Sequence, residues 1–358
     1  MTLVLNNEDV ARVLTIDDCL EVLEETFGDY AKGQAVNRPR AHSYAPTPDA
    51  ERQWYMFKTM DAIVPRQGIG GVRLTSDIVR ERVLDGRLRR EKPGLAPGGR
   101  WTELVLLFSM ATGELLAIVH GGYLQRERVG ATSAICAKHV ARPDSANIAL
   151  FGAGGLAGPH LEALARLFPL KQVKVYSVTA EHRRAFAEHW TQQLNIDVRA
   201  VDDAEEAVKG ADLISAVTNS LTPCFSGKWL KDGMHVNSVQ RGELDDKTID
   251  RSEVIVVRSR DRDSHWYIGK EIPTEVGFDL SDAPALQPKM RTLGGIIAGT
   301  ETGRTSAEQV TLFGGSGLGS AGLGIQLISV AARAYEKAKE QGLGQELPTE
   351  LFSQDIHT

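Results

Sequence analysis

The feature that most constrains the fold is a glycine segment between a strand pattern and a helix pattern. An apolar stretch, Asn147–Phe151, runs into Gly152-x-Gly154-x-x-Ala157, and apolar residues then recur at helical spacing. Gly152 permits a tight turn, Gly154 lets a pyrophosphate approach the backbone, and Ala157 allows close helix–strand packing. The helix N-terminus offers free N–H groups to phosphates. The segment therefore predicts a Rossmann dinucleotide site formed by Gly152, Gly154, Gly155, Leu156 and Ala157.

Alternating strand and helix patterns continue after this segment. Strands are predicted at 172–177, 197–201, 212–217, 234–239 and 253–257, with helices at 181–194 and 204–210. The alternation predicts a parallel sheet covered on both faces, and such sheets bind ligands beyond the carboxyl ends of their strands. The cofactor is therefore also expected to contact residues that follow these ends, namely Ser177, Thr179, Val217, Thr218, Val239 and Arg241.

The N-terminal third combines a helix with clustered strands. Thr15-Ile-Asp-Asp18 resembles a capping box, and it precedes an apolar helical stripe that ends at Gly33. Strands are predicted at 53–60, 69–76, 103–109 and 114–120, the last two as a hairpin around Thr112-Gly113. Residues 83–100 are predicted to form an extended loop that is a candidate lid over the site, and a long helix is predicted from about residue 317 to 342. The predicted fold class is α/β, with a central Rossmann domain and a second, α+β domain.

Composition limits the classes of partner. A chain of 358 residues suits two domains, and a net charge of −6 without basic blocks argues against binding to nucleic acid or membranes. The cationic run at 80–90 is broken by acids and is predicted to be a solvated loop. Cys19, Cys136 and Cys224 lack metal-ligand spacing, so no metal is predicted and a reducing, cytoplasmic location is expected.

Five segments are informative because of their order. They are Gly68-Ile-Gly-Gly-Val-Arg73, Ala111-Thr-Gly-Glu-Leu-Leu-Ala117, Arg128-Val-Gly-Ala-Thr-Ser133, the glycine segment with His160-Leu-Glu-Ala-Leu164, and Gly303-Arg-Thr-Ser306. Together they resemble the ornithine cyclodeaminase/mu-crystallin family over nearly the whole chain. The resemblance implies a substrate-binding and homodimerisation domain at 1–130 with 317–358, and a Rossmann domain at 131–316 that binds NAD(H) or NADP(H). It also implies hydride transfer at a carbon that bears nitrogen.

The chain departs from the family pattern on the substrate side. The family's strand lysine, which contacts the substrate carboxylate, aligns with Arg73, which can pair bidentately but does not readily release a proton. The family's catalytic aspartate is missing from the compressed segment Val239-Gln240-Arg241-Gly242-Glu243-Leu244. There Arg241 takes the place of a lysine, and Glu243 remains. Ornithine cyclisation is therefore not expected.

The residues predicted to act on the substrate are Arg73, Arg128, Lys58, Arg40 and Glu243. The resemblance implies that Arg128, which is expected to open a helix, and Arg40 grip the substrate carboxylate. The alternatives are a structural ion pair for Arg128 and a solvated loop for Arg40. Arg73 interrupts a strand where a charge needs a partner or a ligand. Lys58 supplies an ammonium or lies on an exposed strand face. Glu243 orients or protonates an amine, or it serves as a cap or in a salt bridge.

The end of the second Rossmann strand indicates which dinucleotide is preferred. This position usually carries an acid that accepts hydrogen bonds from the NAD ribose, but here it is Ser177. Thr179, Arg183 and Arg184 follow, and hydroxyls with arginines suit a 2′-phosphate. NADP(H) is therefore favoured and NAD(H) remains possible, since the arginines could instead decorate an exposed helix.

Three functions are open from the sequence. The leading hypothesis is an NAD(P)H-dependent imine reductase or amino-acid dehydrogenase for a small, carboxylate-bearing substrate. The second is a cyclodeaminase-type lyase with bound NAD. The third is a non-catalytic, NADP-dependent ligand-binding protein of the mu-crystallin type.

Overall fold

Two β-sheets organise the chain. The computed structural model describes residues 1–48, 52–84, 86–269, 273–274, 280, 283–319 and 322–356. The elements of the N-terminal part are β1 (Thr2–Leu5), α1 (Asn7–Val13), α2 (Ile16–Ala31), β2 (Val36–Asn37), β3 (Ala41–Pro46), β4 (Gln53–Val64), β5 (Ile69–Leu84), β6 (Arg87–Glu91), β7 (Thr102–Ser109), β8 (Leu115–His120) and α3 (Gly121–Val140).

The rest of the chain contributes the second sheet and the C-terminal helix. Its elements are β9 (Asn147–Phe151), α4 (Ala157–Leu167), β10 (Gln172–Tyr176), α5 (Ala180–Leu194), β11 (Asp197–Ala200), α6 (Ala204–Val208), β12 (Leu213–Ala216), β13 (His235–Ser238), α7 (Asp246–Arg251), β14 (Val254–Val257), β15 (Ser264–Tyr267), β16 (Met290–Thr292), α8 (Leu293–Ile297), β17 (Thr311–Phe313), α9 (Gly324–Glu340) and β18 (Gln345–Leu347).

The second sheet is a parallel Rossmann sheet. Its strand order is β11-β10-β9-β12-β13-β17-β14-β16, and its described pairings are parallel. The chain moves outward from β9 to β10 and β11 and then returns to the other side of β9 with β12. This reversal opens a crevice beyond the ends of β9 and β12. The strands β12 and β14 are buried throughout, because helices cover both faces of a parallel sheet.

The first sheet is mostly antiparallel. Its main order is β15-β3-β4-β5-β7-β8-β1-β18, with β2 on β4 and β6 on β5. Along β4, residues alternate between buried positions such as Trp54 and Met56 and exposed ones such as Tyr55 and Phe57. The C-terminal helix α9 packs on β4 and β5 of this sheet.

The predicted α/β fold is confirmed, and so are the capping box and the 103–120 hairpin. The Asp18 amide donates to Thr15 Oγ1 at 3.2 Å, and the Thr15 amide donates to Asp18 Oδ2 at 2.9 Å. β15 pairs with β3 of the first sheet, although it lies within residues 131–316. The proposed domain boundaries remain a prediction. Within the described part of the chain, no helix has both the length and the apolar composition needed to cross a membrane.

Two loop predictions were wrong for residues 83–91, whereas residues 92–100 lie outside any named helix or strand, as predicted. Residues 83–91 form the end of β5 and the strand β6, paired in register from Leu84↔Arg87 to Arg80↔Glu91, so neither an extended loop nor a solvated loop fits. Asp85-Gly86 is a strong hairpin dipeptide, and it is the local signal for this turn. The C-terminal helix begins at Gly324, later than predicted.

Candidate active site

A cavity of about 760 Å³ lies between the two sheets. One wall is formed by the glycine turn after β9 and by the loops that follow β10, β12 and β13. The other wall is formed by β3, β4, β5 and β6 of the first sheet. Residues predicted to bind the cofactor and residues predicted to bind the substrate therefore line the same cleft, although they come from different parts of the chain.

The glycine turn has the geometry that a dinucleotide requires. Gly152 has φ +107°, and a Cβ there would lie 2.7 Å from the Val217 carbonyl oxygen, so glycine is needed. At Gly154, no heavy atom of the described residues lies within 4 Å of an added Cβ, and the residue faces the cavity with Gly155 and Leu156. Helix α4 starts here without a side-chain cap among the described residues, which leaves its N–H groups available to phosphates. Ala157 is fully buried against the strand.

The end of β10 forms the next stretch of the cavity wall. Ser177, Thr179 and His182 line it, and no acid stands at the Ser177 position. Arg183 does not fit the predicted role of phosphate ligand. Its Nη1 donates to the Ser177 carbonyl oxygen at 2.8 Å, and its Nη2 is paired with Asp202. Arg183 therefore fixes the backbone of the loop instead of presenting a free charge.

The loops after β12 and β13 are held together by one buried carboxylate. Val217, Thr218 and Val239 line the cavity as predicted. Glu243 lies behind them, fully buried, where it accepts hydrogen bonds from Thr218 N and Oγ1, Ser238 Oγ, Val239 N and Gln240 N. Burial raises the pKa of Glu243 to about 7, and these donors act in the opposite direction. Glu243 therefore has the capping role that was one of the predicted alternatives, and its position does not fit contact with a substrate amine.

Arg241 also turns away from the cleft. Its Nη1 donates to the Leu244 carbonyl oxygen at 2.6 Å, and its Nη2 pairs with Asp246. The predicted contact of the Arg241 side chain with the cofactor is therefore not what the structure shows. Gln240, its neighbour, lines the cavity and donates through Nε2 to the Ser220 carbonyl oxygen at 2.7 Å.

Arg73 and Lys58 share the wall formed by the first sheet. Arg73 faces Met60 across the β4–β5 ladder and Lys58 faces Thr75, so both side chains point to the same face. Arg73 pairs with Glu103 at 2.7 Å and is nearly buried. Lys58 is only 8% exposed, so its interpretation as an exposed strand residue was wrong.

Lys58 has unusual electrostatic surroundings. No hydrogen bond or ion pair joins its ammonium to another of the described residues. Burial, with the positive charges of Lys92, Arg73 and Arg40, holds the pKa of Lys58 well below its ordinary range. An amine that lines a cleft and releases its proton more readily than an ordinary lysine is suited to proton transfer.

Arg40 and Arg128 complete the predicted substrate contacts. Arg40 is paired with Asp263 in the cavity wall, so it is not in a solvated loop. Arg128 lies within α3, whose start is Gly121, and its partners are neutral: Gln326 at 3.2 Å and Gln125 at 2.8 Å. Its burial lowers its pKa. The ion-pair alternative for Arg128 therefore finds no carboxylate among the described residues.

Arg258 was missed by the sequence analysis. It directly follows β14 and is fully buried in the cavity wall, where its Nη1 donates to the Gly314 carbonyl oxygen at 3.1 Å. Its guanidinium carbon lies 4.3 Å from the centre of the Phe313 ring. Burial lowers the pKa of Arg258 to about 10. An arginine directly after an apolar strand, at the ligand-binding end of the sheet, is the signal that could have found it.

The basic strand β6 also lines the site. Its residues Arg87, Arg89 and Arg90, followed by Lys92, face the cavity, as the prediction of a segment over the pocket at 83–100 had it, whereas the solvated-loop interpretation of the run at 80–90 was wrong. Among the described residues, the lining includes three acidic side chains, whereas the basic ones are Arg40, Lys58, Arg73, Arg87, Arg89, Arg90, Lys92, Arg128, Arg258 and Arg262. A chain with net charge −6 thus concentrates positive charge in its cleft, which favours anionic ligands.

Known proteins match the chain over both walls of this cleft. The profile of the ornithine cyclodeaminase/mu-crystallin family matches residues 89–342. A Delta(1)-pyrroline-2-carboxylate reductase of Bacillus cereus is 34% identical over 250 residues, which are 68% of this chain and 73% of that relative.

Two solved structures extend the similarity to nearly the full length. Thermococcus litoralis Delta(1)-pyrroline-2-carboxylate reductase, in complex with NADH and L-proline, gives a TM-score of 0.77 at 25% identity, covering 97% of this chain and 100% of the other. An archaeal alanine dehydrogenase dimer with bound NAD gives 0.77 at 26% identity, covering 97% and 99%.

Proposed function

Because the chain belongs to the ornithine cyclodeaminase/mu-crystallin family, we propose that it is an NAD(P)H-dependent oxidoreductase that reduces the C=N bond of a small 2-imino acid or oxidises the corresponding amine. The observation that carries this proposal is the single cavity in which the uncapped glycine turn faces Arg73, Arg128 and Lys58. A turn that fits a dinucleotide and a wall that favours anions therefore share one cleft.

The residues of the turn fit a dinucleotide. Gly154, Gly155 and Leu156 would hold its pyrophosphate, and Val217, Thr218 and Val239 would lie beside its nicotinamide end. When bound, the reduced nicotinamide supplies a hydride to the imine carbon. The protein's part is to orient that carbon and to exclude water.

Arg73 and Arg128 orient the substrate through its carboxylate. Both side chains are buried in the cavity wall, and a guanidinium can hold a carboxylate with two parallel hydrogen bonds. Arg128 has only neutral side-chain partners among the described residues, so a bound carboxylate would satisfy a charge that is otherwise uncompensated. This compensation supports a carboxylate-bearing substrate.

Lys58 delivers the proton that balances the hydride. During reduction the electron pair of the C=N bond would move to nitrogen, and that nitrogen would take a proton from the Lys58 ammonium. The low pKa of Lys58 makes it a better acid than an ordinary lysine. Amine oxidation uses the same steps in reverse, with neutral Lys58 as the base.

The preferred dinucleotide is NADP(H). Ser177 replaces the acid that would repel a 2′-phosphate, and the hydroxyl of Thr179 and the imidazole of His182 share this part of the wall. Arg183 makes no direct contribution in this account, because it is paired with Asp202. Arg184, which follows Arg183 and is exposed on α5, would supply positive charge for the 2′-phosphate.

The assembly is a homodimer formed through the first sheet. The exposed aromatic residues Tyr55 and Phe57 lie on β4, and Trp266 lies on β15, on the same outer face of that sheet. Exposed apolar patches of this kind mark protein interfaces. The archaeal alanine dehydrogenase with bound NAD, which this chain resembles, is a dimer.

The test of the proposed function is reduction of preformed imines. NADPH absorbance is followed with cyclic imino acids, and with 2-oxo acids in the presence and absence of methylamine. We expect NADPH consumption that depends on the imine and is lost in Arg128→Ala. Release of ammonia from ornithine without net use of cofactor would instead indicate a lyase. Tight ligand binding without any change of cofactor would indicate a binding protein.

A further inference from the structure

Some of the positive charge in the cleft has no protein carboxylate to neutralise it. The three acidic residues of the lining are all engaged: Glu103 with Arg73, Asp263 with Arg40, and Glu91 with Arg80 at 2.8 Å. Within the described ranges, no carboxylate lies within 4 Å of the side chains of Lys58, Arg87, Arg89, Arg128 and Arg258.

These unpaired cations fall into two places. Arg128 and Arg258 lie deep in the cleft, where both are buried and the charge of Arg258 helps to lower the pKa of Arg128. Arg87 and Arg89 lie on β6, which the sequence alone assigned to a solvated loop. One substrate carboxylate bound at Arg73 and Arg128 leaves the β6 charges unexplained.

Strand β6 is fixed against the loop that follows β12 of the Rossmann sheet. The Arg90 amide donates to the Asn219 carbonyl oxygen at 3.2 Å, and the Leu221 amide donates to the Leu88 carbonyl oxygen at 2.9 Å. Arg89 forms an isolated bridge with Ser220. These bonds join the hairpin of one sheet to the loop after β12 of the other, so the basic strand closes the cleft beyond the catalytic centre.

The neighbouring loop presents no carboxylate of the described residues to this end of the cleft, because Glu243 is buried behind it. Gln240, in the compressed segment that lacks an aspartate, binds the Ser220 carbonyl oxygen directly beside this bridge. A neutral amide and two guanidinium-bearing residues therefore meet at this end of the cleft. A cationic substrate side chain, such as that of ornithine, would meet like charges here, and an anionic one would be attracted.

We propose that the substrate carries a second carboxylate, on the side chain of a 2-imino acid, and that Arg87 and Arg89 of β6 recognise it. The inference rests on the proposed function for the position of the first carboxylate and the imine carbon. The two arginine groups would then hold the substrate at both ends, with the reacting carbon between them. This arrangement selects a dicarboxylic imine over one with a neutral or cationic side chain.

The kinetic test compares matched substrates in the full-length protein. Imines are formed from methylamine with 2-oxoglutarate or with 2-oxohexanoate, and kcat/KM is measured with NADPH. We expect the dicarboxylic imine to be preferred by at least about 100-fold. The double variant Arg87→Ala/Arg89→Ala should lose most of this preference and leave the 2-oxohexanoate imine nearly unchanged. Arg82→Ala, which lies directly opposite Arg89 in the β5–β6 pairing but does not line the cavity, is the matched control and should keep the preference.

A binding measurement keeps the inference separate from the proposed reaction. Thermal stabilisation of the NADP⁺ complex is recorded with L-glutamate and with L-norleucine, where we expect glutamate to stabilise the wild type more strongly than the double variant. If no imine is reduced but this difference holds, the second anion site stands and the reductase proposal falls. The inference is overturned if the neutral imine is preferred. It is also overturned if the double variant weakens NADPH binding and lowers kcat/KM equally for both imines, because the two arginines then serve another purpose.

Discussion

Lys58 and Arg73 project from neighbouring antiparallel strands onto the same wall of the cleft, but only Arg73 has a carboxylate beside it. Arg73 pairs with Glu103 at 2.7 Å, whereas Lys58 is buried without an ion-pair partner among the described residues. The family pattern has a lysine at the Arg73 position. Here the permanent charge of Arg73 and the titratable amine of Lys58 lie on separate strands. Carboxylate binding is therefore assigned to Arg73 and proton transfer to Lys58.

This division of roles predicts that kcat/KM depends on pH through the protonation of Lys58. Its ammonium loses a proton as pH rises through a pKa well below the ordinary lysine value, so kcat/KM for imine reduction should fall with rising pH, and amine oxidation should rise. Lys58→Met should remove this limb of the profile. Lys58→Arg keeps the charge but cannot release a proton, so it should preserve KM and lower kcat. Equal loss of both parameters in the arginine variant would argue for a binding role.

Arg73 is predicted to bind substrate and not cofactor. Arg73→Ala removes charge-assisted hydrogen bonds in a largely dry site and should cost about 2–4 kcal/mol in kcat/KM, or roughly 30- to 1000-fold. NADPH affinity, measured by fluorescence titration, should change little. Arg73→Lys restores the family residue and should recover part of the loss. A folded Arg73→Ala protein with unchanged kcat/KM would assign Arg73 to structure alone.

Ser177 is predicted to set the cofactor preference. Ser177→Asp places a carboxylate where it can accept hydrogen bonds from the ribose hydroxyls of NAD(H) and repel a 2′-phosphate. The ratio of dissociation constants for NADPH and NADH should therefore invert, since the wild type is expected to bind NADPH more tightly. Ser177→Asn, of similar size and uncharged, is the control. Tighter binding of NADH by the wild type would refute the preference.

The outer face of the first sheet is predicted to be the dimer contact. Phe57→Glu places a charge within this exposed aromatic patch and should shift the protein toward monomer in light scattering at micromolar concentration. Ser43 lies opposite Phe57 in the β3–β4 pairing, so Ser43→Glu tests the same face from a second position. Glu8→Lys, on the exposed surface of α1, should leave the assembly unchanged. A wild-type protein that is monomeric under these conditions would contradict the prediction.

The Rossmann part could be predicted because its signals are local. Asn147–Phe151, the glycine turn and the helix after it appear within one continuous segment, and each has its own periodicity. The buried strands β12 and β14 lie within the predicted segments 212–217 and 253–257. The cofactor wall followed from the topology, since residues after the ends of parallel strands must share one edge.

The substrate wall could be predicted only in part, because it depends on pairings between distant segments. From the sequence, Lys58 resembles an exposed strand residue. In the fold, β3 and β5 pair with its strand on either side, and Lys92, which follows β6, forms an ion pair with Asp77 nearby. Arg183 and Arg241 look available for a phosphate until Asp202 and Asp246 pair with them. Whether a charge is free or paired is a property of the folded contacts, and the sequence alone does not specify it.

The most direct test of the central claim is the transfer of deuterium from NADPH labelled at carbon 4 of the nicotinamide. With the pro-R and pro-S labelled cofactors used separately, one of them should give an amine product with a single deuterium on the carbon bonded to nitrogen, as read by mass spectrometry and NMR. Transfer should be lost together with NADPH consumption in Arg128→Ala. Cofactor oxidation that leaves the product unlabelled from both cofactors, or ammonia release from ornithine without net cofactor use, would contradict the account.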